Sequence, residues 1–293
     1  MNLAVSPQDL TMRLDLPGAS GEALILGMPH LSLGGLSETW LMKELGHRHW
    51  QMLARLAGRP VPDFRDADGA PVYAAFCAAS LSEAALDSLR ENDRLAIASS
   101  LVRASRTQFV SRHELTSGGR MVGRMELCSV FVKRAVPGRN RSAARLALDL
   151  FPEPARFEPA DTAALAARLR RDDWDRHFGF SRHEALIGGE PRRLVTRPCP
   201  RQDFNGAEFL YFASFQALVD RAEWELLGDE VQALPTLARD IVFYGNIEIG
   251  ERIAVDVLAV HEAPGRCAHW CRISRLADGE RLADVFTRKG AAR

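Results

Sequence analysis

Neither sign of charge is in excess in this sequence: 38 Lys and Arg balance 38 Asp and Glu. No global field is therefore available to recruit nucleic acid or an acidic membrane. Most of the positive charge is arginine, which biased coding composition explains without a function. No run approaches the roughly 18 apolar residues of a membrane span. The opening MNLAVSPQDLTMRLDL lacks both a basic region and an apolar core, so no secretory signal is expected there. Cysteine is sparse, five residues without framework spacing, and the expectation is reduced thiols in a cytoplasm. Also missing are a GxSxG elbow, a P-loop, a GxGxxG before a helix and an HExxH helix, which removes the commonest hydrolase, nucleotide and zinc-protease signatures. Tyrosine occurs three times, at Tyr73, Tyr211 and Tyr244.

What is present is apolar and ordered. Hydrophobic residues are 46% of the chain and charged ones 26%, the balance of a globular protein. Residues 202–228, QDFNGAEFLYFASFQALVDRAEWELLG, carry apolar side chains on more than one side of a helix, so this helix is expected to be wrapped on most faces. Asp203 or Asn205 is the expected cap and Gly228 the expected stop. Strand-like segments follow at 240–249, 250–262, 267–276 and 281–289. One central apolar helix followed by consecutive strands is the pattern of a hot-dog fold, a curved antiparallel sheet around a long helix.

The first half repeats that order. After the weakly alternating 9–17, expected as an opening strand, residues 27–58 show helical spacing at Leu41, Leu45, Met52, Leu53 and Leu56, with Ser37 as cap. Strands are expected at 72–81, 93–107, 108–117 and 119–134. Residues 34–56 answer to 205–227, 73–81 to 240–247, 91–102 to 249–260 and 114–134 to 273–289. The expected architecture is an α+β double hot-dog, with units at 1–134 and 191–293 and a connector at 135–190. Its 160–179 segment reads as an amphipathic helix outside the sheets, and 192–201 as the second unit's opening strand. Fusing the units edge to edge protects an edge that a lone hot-dog exposes.

The N-terminus of each central helix is the candidate site. Free backbone N–H groups and the helix dipole point outward there, and glycine admits a close ligand. Such a place holds a thioester carbonyl and stabilises the oxyanion formed on attack or decarboxylation. Gly34, Gly35, Leu36 and Ser37 qualify, as do Asn205 and Gly206; His30 is a further candidate for orienting an acyl group. The bland alternative is that Gly and Asn merely turn the chain into a helix. A thioesterase would use Asp203 or Glu38 to activate water, and a dehydratase would pair His30 with Glu38. A non-catalytic acyl-carrier binding module is the third reading. His47 and His49 read as packing or surface residues, and Tyr211 as a buried helix residue. Cys267, His269 and Cys271 share one face of a strand, but no fourth ligand is evident and no metal is expected.

Two blocks, FNGAEFLYFASFQALVDRAEW (204–224) and FYGNIEIGERIAV (243–255), resemble the second half of the leinamycin-pathway bifunctional acyltransferase/decarboxylase family of double hot-dog proteins. MPHLSLGGLSETWLM (28–42) and DADGAPVYAAFCAASL (66–81) fit the first half in matching order. The resemblance implies methylmalonyl-CoA as substrate, transfer to the phosphopantetheine thiol of an acyl carrier protein, and loss of carbon dioxide to leave a propionyl group. It implies no cofactor beyond the CoA or phosphopantetheine thioester itself, and a monomer or homodimer is expected. That family uses a tyrosine as acyl acceptor near the start of the strand after the first helix, which here is Tyr73. A phenol, with a free pKa near 10, needs an environment that stabilises its anion.

Overall fold

The computed structural model describes residues 23–183 and 191–291, and the strand expected over 9–17 lies outside them. Helix α1 (Glu38–Leu56) starts where the sequence places a cap: the Ser37 hydroxyl accepts the Trp40 amide at 3.2 Å. Its buried residues Leu41, Met42, Leu45, His49, Met52 and Leu53 recur every three or four positions and form one face. The other α-helices among the described residues are α2 (Asp161–Arg170), α3 (Pro200–Asp203), α4 (Phe212–Leu227) and α5 (Asp229–Ala233). Helix α4 buries Phe212, Ala213, Phe215, Leu218, Val219 and Ala222 and stops at Gly228, whose φ of 87° suits glycine.

The second central helix starts at Phe212, later than Asp203 or Asn205 would place it. The reason is local. The Asn205 side chain accepts the amides of Ala207 and Phe209, and Asn205 N–H donates to the Phe209 carbonyl. This closes 204–210 into a loop before helix can begin. The Asn246 side chain then binds both the amide and the carbonyl of Leu210, at 2.9 and 3.0 Å. Tyr211 is therefore the residue before the first turn, not a residue within the helix.

The strands in chain order are β1 (Leu24–Ile25), β2 (Leu31–Ser32), β3 (Gly35–Leu36), β4 (Phe64–Arg65), β5 (Pro71–Ser82), β6 (Arg94–Arg103), β7 (Gln108–Ser117), β8 (Arg120–Arg134) and β9 (Ala143–Arg145). The second half supplies β10 (Arg176–His177), β11 (Phe180–Ser181), β12 (Arg192–Thr196), β13 (Thr236–Phe243), β14 (Ile253–Ala263), β15 (Arg266–Arg275) and β16 (Arg281–Gly290). Strand β13 ends at Phe243 rather than running to 249, because the amides of Tyr244 and Gly245 both turn onto the Leu282 carbonyl.

One continuous antiparallel sheet has the order β1-β6-β7-β8-β5-β13-β16-β15-β14-β12. The order reads the same from either end: outer short strand, three meander strands, then the strand that follows the central helix. The halves meet where β5 pairs with β13 through Leu81↔Arg239, Ser80↔Asp240, Ala79↔Ile241 and Ala78↔Val242. Both helices lie on one face in a single core that joins Leu41 and Leu45 to Phe215, Val219, Leu81, Ile241 and Ile273. The fold is a double hot-dog. On the other face, Ala163, Ala166 and Leu169 of α2 pack with Trp174, Trp270 and Phe286, so the segment between the halves covers what a lone sheet would expose.

Candidate functional site

The junction between the halves is incomplete, and the candidate site occupies the defect. Strand β5 is paired with β4 at Pro71 and Val72 and with β13 from Ala78 onward. Between them residues 73–76 pair only with β8, and Cys77 lies at an irregularity in that register. Side chains alternate along a strand, so Tyr73, Ala75 and Cys77 face the outer layer while Ala74 and Phe76 face the helices. A cavity of about 810 Å3 runs along this stretch and is bordered by both sets. Its inner wall is apolar, with Gly46 and Trp50 of α1, Phe76, Phe212, Phe215 and Phe243. Its outer wall carries Tyr73, Cys77, Arg145, Arg170 and Tyr244.

Tyr73 is half-buried, and its hydroxyl has no hydrogen-bond partner among the described residues. Phe209 meets the ring edge-on at 5.4 Å, and the Arg134 guanidinium lies 5.6 Å from the ring centroid. Arg134 also donates to the Asn140 side chain and the Ala207 carbonyl, while Asn140 donates to the carbonyls of Glu208 and Ile247. One buried asparagine thus ties together β8, the 205–209 loop and the turn after β13. Helix α4 points its first turn at the same cavity. Tyr211, in the capping position, offers no side-chain acceptor, and both Tyr211 and Phe212 border the space. Burial pushes the Tyr211 phenol above its ordinary range. Tyr244 is raised too, by burial and by Asp284, to which it donates at 3.0 Å.

The sequence candidates divide between two poles. Tyr73, Asn205 and Gly206 come together at this cavity. His30, Gly34, Gly35, Leu36 and Ser37 gather instead at the start of α1, outside it. There Gly35 presses its α-carbon against Leu86, whose carbonyl would lie 2.2 Å from an added Cβ. His30 accepts the Gly27 amide and contacts Trp40 edge-on at 4.8 Å. Leu36 is core, and Ser37 is engaged as the α1 cap.

That second pole is filled by charge. Glu38 lies 3.3 Å from the guanidinium of Arg239, which is 1% exposed and donates to Asp220 at 2.7 Å. Burial raises the Glu38 carboxyl to about 7 against the pull of Arg239. Behind it, Glu223 binds His269 at 2.7 Å and the Lys289 ammonium. Burial alone would push Glu223 up; the His269 hydrogen bond and Lys289 outweigh it and hold the carboxyl below its ordinary value. His269 Nε2 is therefore committed to Glu223, and its Nδ1 sits 3.4 Å from Cys271 Sγ. In the first half His49 is the corresponding twelfth helix residue. It is fully buried between the hydroxyls of Ser111 and Ser129 at 2.8 and 2.7 Å, and burial lowers it to about 3. Neither carboxylate considered for water activation is in the cavity. Glu38 belongs to the filled pole, and Asp203 accepts the Cys199 amide at 2.6 Å.

Sequence reasoning missed Asn246, Asn140, Arg145 and Arg170. Asn246 had a signal, since a Gly-Asn pair directly after an apolar strand marks a turn. The others reside in the connector and reach the cavity only through tertiary folding. No family model matches the chain, and no curated protein matches it. Solved structures do. The chain resembles a 12:0-ACP thioesterase from Umbellularia californica with a TM-score of 0.62 at 9% identity, over 92% of each chain. It resembles an acyl-ACP thioesterase from Bacteroides thetaiotaomicron with a TM-score of 0.57 at 9% identity, over 91% of this chain and 96% of that one. At such identity the likeness is one of fold, and the fold it supports is the double hot-dog.

Proposed function

We propose that this protein acts on acyl thioesters of CoA or an acyl carrier protein, transferring the acyl group through Tyr73 and decarboxylating a methylmalonyl-type substrate. The observation that carries the reading is an unpartnered tyrosine hydroxyl in a cavity that also receives an uncapped helix N-terminus. An apolar inner wall suits an acyl chain, and the first-turn amides of α4 suit the thioester oxygen as negative charge develops on it. Attack by the Tyr73 oxygen forms a phenyl ester, the phenolic proton leaves with the departing thiolate as thiol, and a carrier thiol reverses the exchange. Arg134, 5.6 Å from the ring centroid, packs on the Tyr73 ring and helps to hold it in place. Decarboxylation needs only an oxyanion site for the enolate and a carboxylate shielded from water.

Hydrolysis is the second reading, and it is favoured by the thioesterase names of the structures that share the fold. Against it stands the lining: Glu280 is the carboxylate bordering the cavity among the described residues, and Arg275 holds it at 2.6 Å. That carboxylate is thus engaged, and the remaining candidate base on the lining is His47, which contacts the Gln51 side chain at 2.9 Å. The deciding experiment mixes the protein with methylmalonyl-CoA and a phosphopantetheinylated carrier protein and follows products by mass spectrometry. Propionyl-carrier and carbon dioxide are expected, with an acyl adduct on the protein. Free acid without an acylated carrier would establish hydrolysis instead.

A further inference from the structure

Almost every buried or half-buried arginine of this protein has an acidic or carbonyl partner that accounts for its charge. Arg239 has Glu38 and Asp220, Arg275 has Asp278 and Glu280, Arg272 has Asp284, and Arg112 has Glu126 and Glu158. Two arginines on the outer wall of the cavity have no acidic partner among the described residues. Arg170, the last residue of α2, is half-buried. Its Nη2 donates to the Phe243 carbonyl, and its Nε is buried with no partner among the described residues. Arg145, the last residue of β9, is exposed, borders the same cavity and takes part in no ion pair or side-chain hydrogen bond among the described residues.

Two like charges facing one space repel each other unless an anion lies between them. Their neighbours register that field. Arg170 is held below its ordinary range by burial and then by Arg145. The Cys77 thiol on the same wall is lowered to about 7, first by its contact with Cys128 at 3.3 Å, with Arg170 and Arg145 adding to it against burial. Arg141, at the rim, is different: Glu251 and Asp278 already neutralise it.

We infer that Arg145 and Arg170 form an anion subsite on the outer wall of the cavity, which receives an oxyanion carried by the thioester substrate. The inference rests on the acyl-thioester reading for the substrate but not for the subsite. Two parts of such a substrate offer this chemistry: the free carboxylate of a malonyl-type acyl group and the phosphate of the pantetheine arm. Both are flat or tetrahedral oxyanions that guanidinium groups bind through charge-assisted, paired hydrogen bonds. The fixed end of Arg170, tied to Phe243, presents the rest of its fork without further ordering cost, while exposed Arg145 closes on the ligand.

The test compares wild type with Arg145→Gln, an exposed change that leaves the core untouched, and with Arg170→Lys, which keeps charge but loses the fork. Binding of methylmalonyl-CoA, propionyl-CoA and propionyl-pantetheine lacking the phosphate is measured by calorimetry, with malonate and inorganic phosphate as direct probes followed by thermal shift. Arg145→Gln is expected to weaken the anionic ligands about tenfold, a typical loss for one charge-assisted contact. A loss confined to methylmalonyl-CoA assigns the acyl carboxylate. An equal loss for both CoA thioesters, with none for the phosphate-free one, assigns the pantetheine phosphate. Both variants binding every anion as wild type does would overturn the subsite. If wild type binds no thioester, the proposed function fails while malonate or phosphate binding, lost in the variants, still decides the subsite.

Discussion

The two poles of this molecule are built from the same parts and are used differently. At each, the N-terminus of a central helix approaches the strand pair that joins the halves. At the α4 pole the junction strand β5 has no β13 partner over residues 73–77, the helix has no side-chain cap and a cavity of about 810 Å3 remains. At the α1 pole Ser37 caps the helix, Gly35 lets the entering loop close down on Leu86, and the Glu38–Arg239–Asp220 cluster occupies the interior. Of two similarly built helix termini, one borders a cavity and the other is packed with charged side chains. A buried ionic cluster is costly to desolvate and adds little net stability over apolar packing.

The largest expected effect tests the open pole. Tyr73→Phe removes a hydroxyl without a partner among the described residues, so stability should change by less than about 1 kcal/mol. The rate of carrier acylation should fall by about 100-fold or more, and the acyl adduct should vanish from the intact mass. Retained carbon dioxide release with lost transfer would separate the tyrosine's role from that of the helix terminus. Unchanged transfer would remove Tyr73 from the chemistry.

Next in size is the filled pole. Arg239→Met leaves Glu38 and Asp220 without their shared cation and should destabilise the fold by about 3–5 kcal/mol in urea titrations. Turnover per folded molecule should stay at the wild-type level, because the cavity lies at the other pole. A parallel loss of turnover would show that the poles are coupled.

Smaller again is the effect of narrowing the cavity. A Cβ on Gly46 would lie 2.8 Å from the Phe212 ring, which forms part of the inner wall. Gly46→Ala should cost about 1–3 kcal/mol in packing, less the roughly 1 kcal/mol that alanine returns in helix propensity. It should also raise KM for longer acyl chains more than for propionyl, which steady-state kinetics across a chain-length series would read.

The pH dependence is the subtlest to read, because two residues of α1, Glu38 and His49, contribute opposite signs. Glu38 has a folded value raised from 4.5 to about 7. The native state then holds more protons than the unfolded one between those limits, so its contribution falls as pH rises through that window. His49 is lowered from 6.5 to about 3. The unfolded state binds more protons there, so stability is present above 6.5 and is lost as pH falls toward 3. Glu38→Gln should flatten the first limb, and His49→Gln should make the acid limb shallower by one proton, each by at most about 1.4 kcal/mol per pH unit. Thermal melts from pH 3 to 8 would show either change, and identical profiles would contradict the assigned burial.

Much of this was legible in the chain. The apolar density at 209–222 required a helix buried on several sides, and the repeated order of helix and four strands required two similar units. Ser37 and Gly228 marked helix ends correctly because capping is decided within a few residues. The start of α4 was misread at Asn205, since one asparagine side chain can close a loop or cap a helix, and Asn246, distant in sequence, made the loop the better choice. The same limit applied to the site. His49 looked like a packing or surface histidine, and only the sheet beneath it, with Ser111 and Ser129, shows that both ring nitrogens are satisfied in a dry interior.

The sequence by itself determined which segments pair their apolar faces, because hydrophobic periodicity acts over one helix or strand. It also determined that glycines stand where φ or close approach demands them. Which of the two helix termini stays open was decided by tertiary structure alone. That choice depends on where β13 leaves β5, on Arg239 reaching across from the opposite half to fill one pole, and on connector residues Asn140, Arg145 and Arg170 arriving at the other. Each is a contact between segments far apart in the chain, and no local pattern carries information about a gap between strands.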